Sequence, residues 1–405
     1  MQVEQLLAAG DDLPTDAKER KKLYEAAKEL MLKTEAPRDT HHRLFISWVR
    51  PTVQIGIDLG IFQALVSQPA RPWTVKELAD RTGAEDALLD RILRALAAHG
   101  TLRQVAPDAY LGTNITTTLA HDDARKQSSA QIRFTGPFMH ALPLQLAKTG
   151  YIDTNDVGDS AFHMGHKTEH TPYKWLGENP EIAKLFFDMM PVQRAGQLCW
   201  TRQPEFTRPL LQAYFTMSAD EQARGRVMFV DIGGGAGHQC IAIRENLPQL
   251  EGRIILEDLE WSAKPASSLE AIHRRDIEVV AHDFTKPQPA ATQGAKVFYL
   301  RNVLHNWDDA SCLPVLSNIR DAMVEDSIIV IDEMVMQEMN AGEISVNYDM
   351  IMMGFASKQR TEAAWKQLLG QVGLDIVEVR CYDEESSDCL IFVAPMPGIP
   401  GLSRL

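Results

Sequence analysis

Short apolar runs recur through the carboxyl-terminal half of the chain, and each ends in polar residues. Residues 227–230 (VMFV), 253–256 (RIIL), 277–281 (IEVVA), 296–300 (KVFYL) and 327–331 (SIIVI) are such runs. They are four or five residues long and rich in β-branched and aromatic types, as in parallel strands buried on both faces. A helix over 361–372 and two more strands over 374–380 and 390–394 complete this half. In an open α/β sheet the ligand crevice lies at the carboxyl ends of the strands. The polar residues that follow each run therefore converge on one edge.

The amino-terminal half has helical spacing instead. Residues 1–35 predict helix, and 41–64 an apolar helix pair broken near Pro51. Thr74 is placed to cap a helix carrying Leu78, and Gly83 makes a turn. Leu88, Leu89, Ile92, Leu93 and Leu96 give the next helix its apolar face. Residues 102–105 and 109–111 predict a hairpin, so this part reads as a winged helix-turn-helix. Between the halves lie the Pro-interrupted apolar run 134–146, which contains His140, and the Phe/Met/Trp-rich segment 180–200. The division expected is 1–125, a helical winged-helix domain; 126–205, a helical linker and pocket segment; and 206–405, an α/β Rossmann-like catalytic domain.

The first strand runs into a glycine turn, VDIGGGAGH, with a helix predicted over 239–245. A glycine turn between strand and helix lets a ligand approach the backbone and offers it helix N–H groups. The dinucleotide fingerprint needs a third glycine where His238 stands. The pattern is instead D-x-G-x-G-x-G, beginning at Asp231 and including Gly233 and Gly235. The second strand ends in Glu257, Asp258 and Leu259, where an acid is placed to bind both ribose hydroxyls of an adenosine. The third ends in His282, Asp283 and Phe284, an acid for the adenine amine and a ring for its face. The fourth ends in residues 301–308 (RNVLHNWD), the fifth in Asp332 and Glu333.

These motifs, in this order, resemble the plant and fungal small-molecule O-methyltransferases that use S-adenosylmethionine. LRNVLHNWDD is the most specific of them. The resemblance implies a seven-stranded sheet with its last strand antiparallel. The amino-terminal module would be a dimerisation domain, and the partners a small-molecule acceptor and a second copy of the chain. It places the general base at His305 and the acid that orients it at Glu333. Cofactor contacts fall to Asp231, Gly233, Gly235, Asp258, Leu259, Asp283, Phe284 and Arg301. The acceptor pocket falls to Phe186, Met190 and Arg194, to Met350, Met353 and Phe355 in the segment 346–356, and to His140. Two positions depart from the family. Asn306 stands where an acid is frequent, and Gln359, in KQRT, stands where a second supporting Glu is expected. These departures, with His140 and Arg301, keep open a second reading: a relative that uses the bound cofactor as a fixed charge for a pericyclic rearrangement.

Charge and composition narrow the rest. A net charge of −14 argues against a nucleic-acid partner, whose phosphates demand a basic surface. The recognition-helix position begins Ala84-Glu85-Asp86, which argues the same way. The five cysteines are scattered, without a C-x-x-C pair, which fits reduced thiols in the cytoplasm. No signal peptide or membrane span is expected. His163, His166 and His170 have a metal-like spacing, but no cysteine or carboxylate cluster completes it, so they read as a polar loop and no metal is implied.

Overall fold

The apolar runs of the carboxyl-terminal half do assemble into one sheet. The computed structural model describes residues 13–152, 156, 158–190, 192, 199–215 and 225–396. The chain divides into two compact units, Met1–Ser128 and Ser129–Leu405, so most of the segment 126–205 belongs to the second.

In the first unit, a three-stranded sheet is made by β1 (Trp73–Thr74), β2 (Leu102–Ala106) and β3 (Ala109–Gly112), in the order β1-β3-β2. Thr74 N donates to Glu77 Oε2 at 2.9 Å and Glu77 N to Thr74 Oγ1 at 3.2 Å, a capping box that starts the helix Val75–Thr82. Leu78, Leu89, Leu93 and Leu96 are buried with Ile61, Phe62 and Leu65. Leu88, expected on the same face, is exposed. The buried set falls at helical offsets of three and four from Leu89, and Leu88 is one position off that stripe. The break expected near Pro51 falls just ahead of it, at Ser47 and Trp48, between the helical turn His42–Ile46 and the helix Val49–Asp58. Pro51 sits in the first turn of that helix, where its missing N–H costs no hydrogen bond, and a glycine stop at Gly60 separates it from the helix that begins at Ile61.

The second unit holds β4 (Val227–Ile232), β5 (Arg253–Asp258), β6 (Ile277–Ala281), β7 (Val297–Arg301), β8 (Ile328–Met336), β9 (Arg360–Thr361), β10 (Leu374–Asp383) and β11 (Asp388–Pro395). Their order is β6-β5-β4-β7-β8-β11-β10, with β9 pairing the end of β8. The five strands from β6 to β8 are parallel, and β11 is antiparallel to both its neighbours. Val230 and Ile232 enter the core on one face while Phe229 enters the core on the other. β8 runs five residues past the predicted end at 331, through Asp332 and Glu333. Polar residues were read as its terminator, yet both acids are paired into β11 and their charges find partners within the protein.

The expectation of reduced thiols fails for one pair. Cys381 and Cys389 form a disulfide, because they face each other in register across the β10–β11 hairpin. Scatter along a sequence says nothing about cross-strand register. Cys199, Cys240 and Cys312 are free thiols. Among the described residues, no helix is long and apolar enough to cross a membrane.

Candidate active site

The turn after β4 is fixed by its neighbours. Gly233 N and Gly234 N both donate to Glu257 O, at 2.7 and 3.2 Å, and Gly235 N donates to Asp258 Oδ2 at 2.8 Å. Gly233 has φ +70°, and a Cβ there would lie 2.9 Å from Val303 Cγ2. A Cβ on Gly234 would lie 2.4 Å from Leu256 Cδ1 and 2.6 Å from Asp231 Cγ. No side chain fits this approach without displacement. Asp231, at the root of the turn, is buried, and burial pushes its carboxyl up to about 7 against the opposing contact from Cys240 Sγ at 3.6 Å.

Asp258 is oriented at the tip of β5. Its Oδ2 accepts from Gly235 N and its Oδ1 from Leu259 N at 2.7 Å, and the Ser262 side chain adds a third bond, so the carboxylate is firmly oriented. Burial raises its carboxyl despite these bonds. After β6, Asp283 Oδ1 accepts from Thr285 Oγ1 at 2.7 Å and Thr285 N at 3.0 Å, and the Thr285 bonds hold its carboxyl below the usual range. The Phe284 ring meets Trp307 edge-on at 6.0 Å. Arg301 lies against the opposite wall, with Nε 3.4 Å from the fully buried Asp332. Burial works against its charge, but Asp332, Tyr299, Tyr382 and Asp388 together outweigh it and keep the guanidinium firmly protonated. Tyr299 and Tyr382 donate their hydroxyls to the same carboxylate.

The turn after β7 carries His305. Its Nδ1 stands 3.2 Å from Glu333 Oε2, and Glu333 is fully buried. Glu333 Oε1 also accepts from Leu304 N at 3.0 Å and His305 N at 3.3 Å. A carboxylate partner at Nδ1 favours the Nδ1–H tautomer, in which Nε2 carries the free lone pair. Gln359 also reaches His305 Nδ1, at 3.0 Å, from the residue before β9. Asn306, the other departure from the family, turns away and donates Nδ2 to Asn302 O at 2.9 Å.

The pocket residues separate into two groups. Phe186 and Phe355 join an aromatic cluster around Phe134, at centroid distances of 5.1 and 6.1 Å, with Phe138, Phe162 and Trp175. Met353 is half-buried nearby in sequence. Met190 and Met350 are exposed. His140 is exposed too, and its Nδ1 is tied to Gly136 O of its own helix at 2.7 Å, so it does not join the cluster. Arg194 lies outside the described residues.

The three spaced histidines do not form a polar loop. His163 is buried and its Nδ1 lies 3.0 Å from Ser160 Oγ, while His170 pairs with Glu178 at 3.3 Å on the surface. His166 packs on Trp175 at 4.3 Å with Nε2 on Phe134 O at 2.9 Å, and burial holds its imidazole below the usual range. Sequence reasoning missed His166 as a member of the aromatic cluster, and it passed over Arg360 and Asp332. The i, i+4 pair Phe134 and Phe138 was the available signal for the cluster.

Residues 217–375 match the model of an O-methyltransferase domain, and residues 42–122 that of an O-methyltransferase dimerisation domain. The chain is 33% identical over 341 residues to the demethylsterigmatocystin 6-O-methyltransferase of Aspergillus parasiticus, which covers 84% of each protein. A solved structure of LepI in complex with SAM is 32% identical, with a TM-score of 0.81 over 97% of each chain. A solved pericyclic reaction enzyme is 32% identical, with a TM-score of 0.82 over 98% of this chain and 100% of its own. The chain therefore belongs to the S-adenosylmethionine-dependent O-methyltransferases, the family that includes relatives of fungal secondary metabolism.

Proposed function

We propose that this enzyme methylates a phenolic or enolic oxygen of a small secondary metabolite, with His305 as general base. The observation that carries this is the imidazole of His305 held 3.2 Å from a fully buried Glu333. The glycine turn fits S-adenosylmethionine. Its backbone admits close approach, Asp258 offers two oriented oxygens for a ribose diol, and Phe284 and Asp283 stand where an adenine ring and amine are matched. Asp231 shapes the turn, Leu259 fixes Asp258 through its N–H, and Arg301 supplies a fixed positive charge to the crevice wall. When bound, the cofactor supplies an electrophilic methyl carried on sulfonium.

The chain's own residues handle the acceptor proton. A phenol has a pKa near 10, so only a small fraction is ionised at neutral pH. His305 Nε2 accepts the proton as the oxygen attacks, and Glu333 stabilises the imidazolium that forms. The aromatic cluster containing Phe186 and Phe355 gives a flat acceptor an apolar wall, with Met353 beside it. The first unit, carrying the dimerisation module, pairs two chains into a homodimer.

A second reading has support as well. Likeness to a pericyclic reaction enzyme runs over nearly the whole chain, and Arg301 is a half-buried cation at the crevice. Incubation with cofactor labelled in its methyl group separates the two, with demethylsterigmatocystin and related phenols as acceptors. Methyl transfer gives a labelled product and one S-adenosylhomocysteine per turnover. A product of unchanged mass with the cofactor unspent overturns it.

A further inference from the structure

The turn that carries His305 is poorly held by its own backbone. Asn302 has φ +54°, and the single 3-10 turn Leu304–Asn306 follows. Its internal bonds are long, Asn306 N to Val303 O and Trp307 N to Leu304 O, both 3.2 Å. A base must nevertheless be held to within a fraction of an ångström. Side chains from outside the turn do this, Glu333 and Arg360 foremost, with the Cys312 thiol reaching Leu304 O at 3.4 Å. Glu333 takes its N–H groups, at Leu304 and His305. Arg360 takes its carbonyls, with Nη1 donating to Leu304 O at 3.0 Å and Nη2 to Trp307 O at 2.8 Å.

Arg360 is itself rigidly set. Its side chain is fully buried, Nε donates to Asp309 Oδ1 at 2.9 Å, and the guanidinium lies 5.1 Å over the Trp365 ring. Lys358 holds the other oxygen of Asp309 at 3.0 Å. Arg360 is in register with Val335, two residues beyond Glu333 on β8. The acid and the guanidinium that grip the turn therefore come from one strand pair. A planar fork can span two carbonyls and a carboxylate at once, and an ammonium cannot.

We infer that Arg360 is a positioning residue for His305, and this rests on the reading of His305 as the base. The test uses the full chain with S-adenosylmethionine. Arg360→Gln and Arg360→Lys are made in the native and His305→Ala backgrounds, with turnover and calorimetric cofactor affinity measured in each. In the native background Arg360→Gln is expected to cut turnover by about 10- to 100-fold, the effect of a misplaced group, with cofactor affinity unchanged. In the His305→Ala background the same change is expected to cost nothing further, because both act through one imidazole. Equal losses in both backgrounds overturn the proposal. Arg360→Lys keeps a cation against Asp309, so it guards against a variant that fails to fold. In it the nitrogen resonances of the His305 imidazole are expected to shift, and unchanged resonances overturn the proposal. If His305→Ala retains full turnover, the reading of the base falls, and the imidazole resonances alone decide whether Arg360 holds the turn.

Discussion

The two edges of the crevice are built from different materials. The edge proposed to hold the cofactor, at the ends of β4 and β5, is mostly backbone: glycine N–H groups on Glu257 O and Asp258, with no room for a side chain at Gly233 or Gly234. The edge proposed to hold the base, around the turn after β7 and at β8 and β9, is mostly side chain: His305, Glu333, Gln359 and Arg360. Their buried acids show the contrast. Glu333 accepts two backbone N–H groups and faces an imidazole. Glu257 accepts from Gln288 Nε2 at 3.2 Å, and burial pushes its carboxyl up to about 7. A buried carboxylate with few donors favours its neutral form.

The largest effect tests whether the chemistry belongs to the base edge alone. His305→Ala is expected to lower turnover by ~10²- to 10⁴-fold, the usual contribution of a positioned base. Cofactor affinity by calorimetry should not change, since the proposed cofactor contacts, Arg301 apart, lie on other strands. Activity should recover partly at high pH, where the acceptor ionises unaided. A variant with near-native turnover at pH 7 removes His305 from the reaction.

Next comes the cost of the buried acid at the cofactor edge. The folded-state pKa of Glu257 lies above its ordinary 4.5, so its stabilising contribution is complete below about 4.5 and is lost as pH rises through about 7. Glu257→Gln does not titrate. The native protein should therefore lose stability relative to this variant between pH 4.5 and 7, by on the order of 3 kcal/mol at most. Urea unfolding across that window measures it, and parallel profiles for the two proteins would exclude the shift.

Asp258→Ala is smaller and confined to binding. Losing charged hydrogen-bond partners should weaken the cofactor by ~1–3 kcal/mol. An unchanged dissociation constant would take Asp258 out of the cofactor edge.

How far each edge was legible follows from its material. Backbone sites require particular residues at particular spacings, so the turn from Asp231 to Gly237 announced itself in the sequence together with its strand. His305 and Glu333 were reached through a motif, because nothing in their local pattern says that positions 28 apart meet. The contacts of Gln359 and Arg360 depend on β9 pairing with the end of β8, a two-residue match that no periodicity reveals. The pocket was harder still. Helices rich in Phe and Met have no clean polar face, so Phe186 and Phe355 could not be told from the exposed Met190 and Met350. His166 looked polar because, apart from Phe162 four residues before it, the rings that pack on it come from other segments, Phe134 and Trp175.

The smallest effect concerns the departure at the base edge. Both Gln359 Nε2 and Glu333 Oε2 lie close to His305 Nδ1, at 3.0 and 3.2 Å. An Nδ1–H that donates to Glu333 cannot also accept from an amide N–H. Exchanging the amide's nitrogen and oxygen resolves this, and it gives a partner to Gln359 Oε1, which is otherwise buried without one. Gln359 then supports the ring as a neutral acceptor and adds no charge. Gln359→Glu would place a second carboxylate on the same N–H and stabilise the imidazolium further. The gain is limited, because two buried acids on one group repel and share their titration. The acid limb of the kcat/KM profile should therefore move to higher pH by about 0.5–1 unit, with turnover at its plateau changed only modestly. Gln359→Leu, which removes the acceptor without adding charge, should not move the limb upward. A Gln359→Glu profile that overlays the native one would show that this side chain does not face His305 in solution, and the base edge would then rest on Glu333 and Arg360.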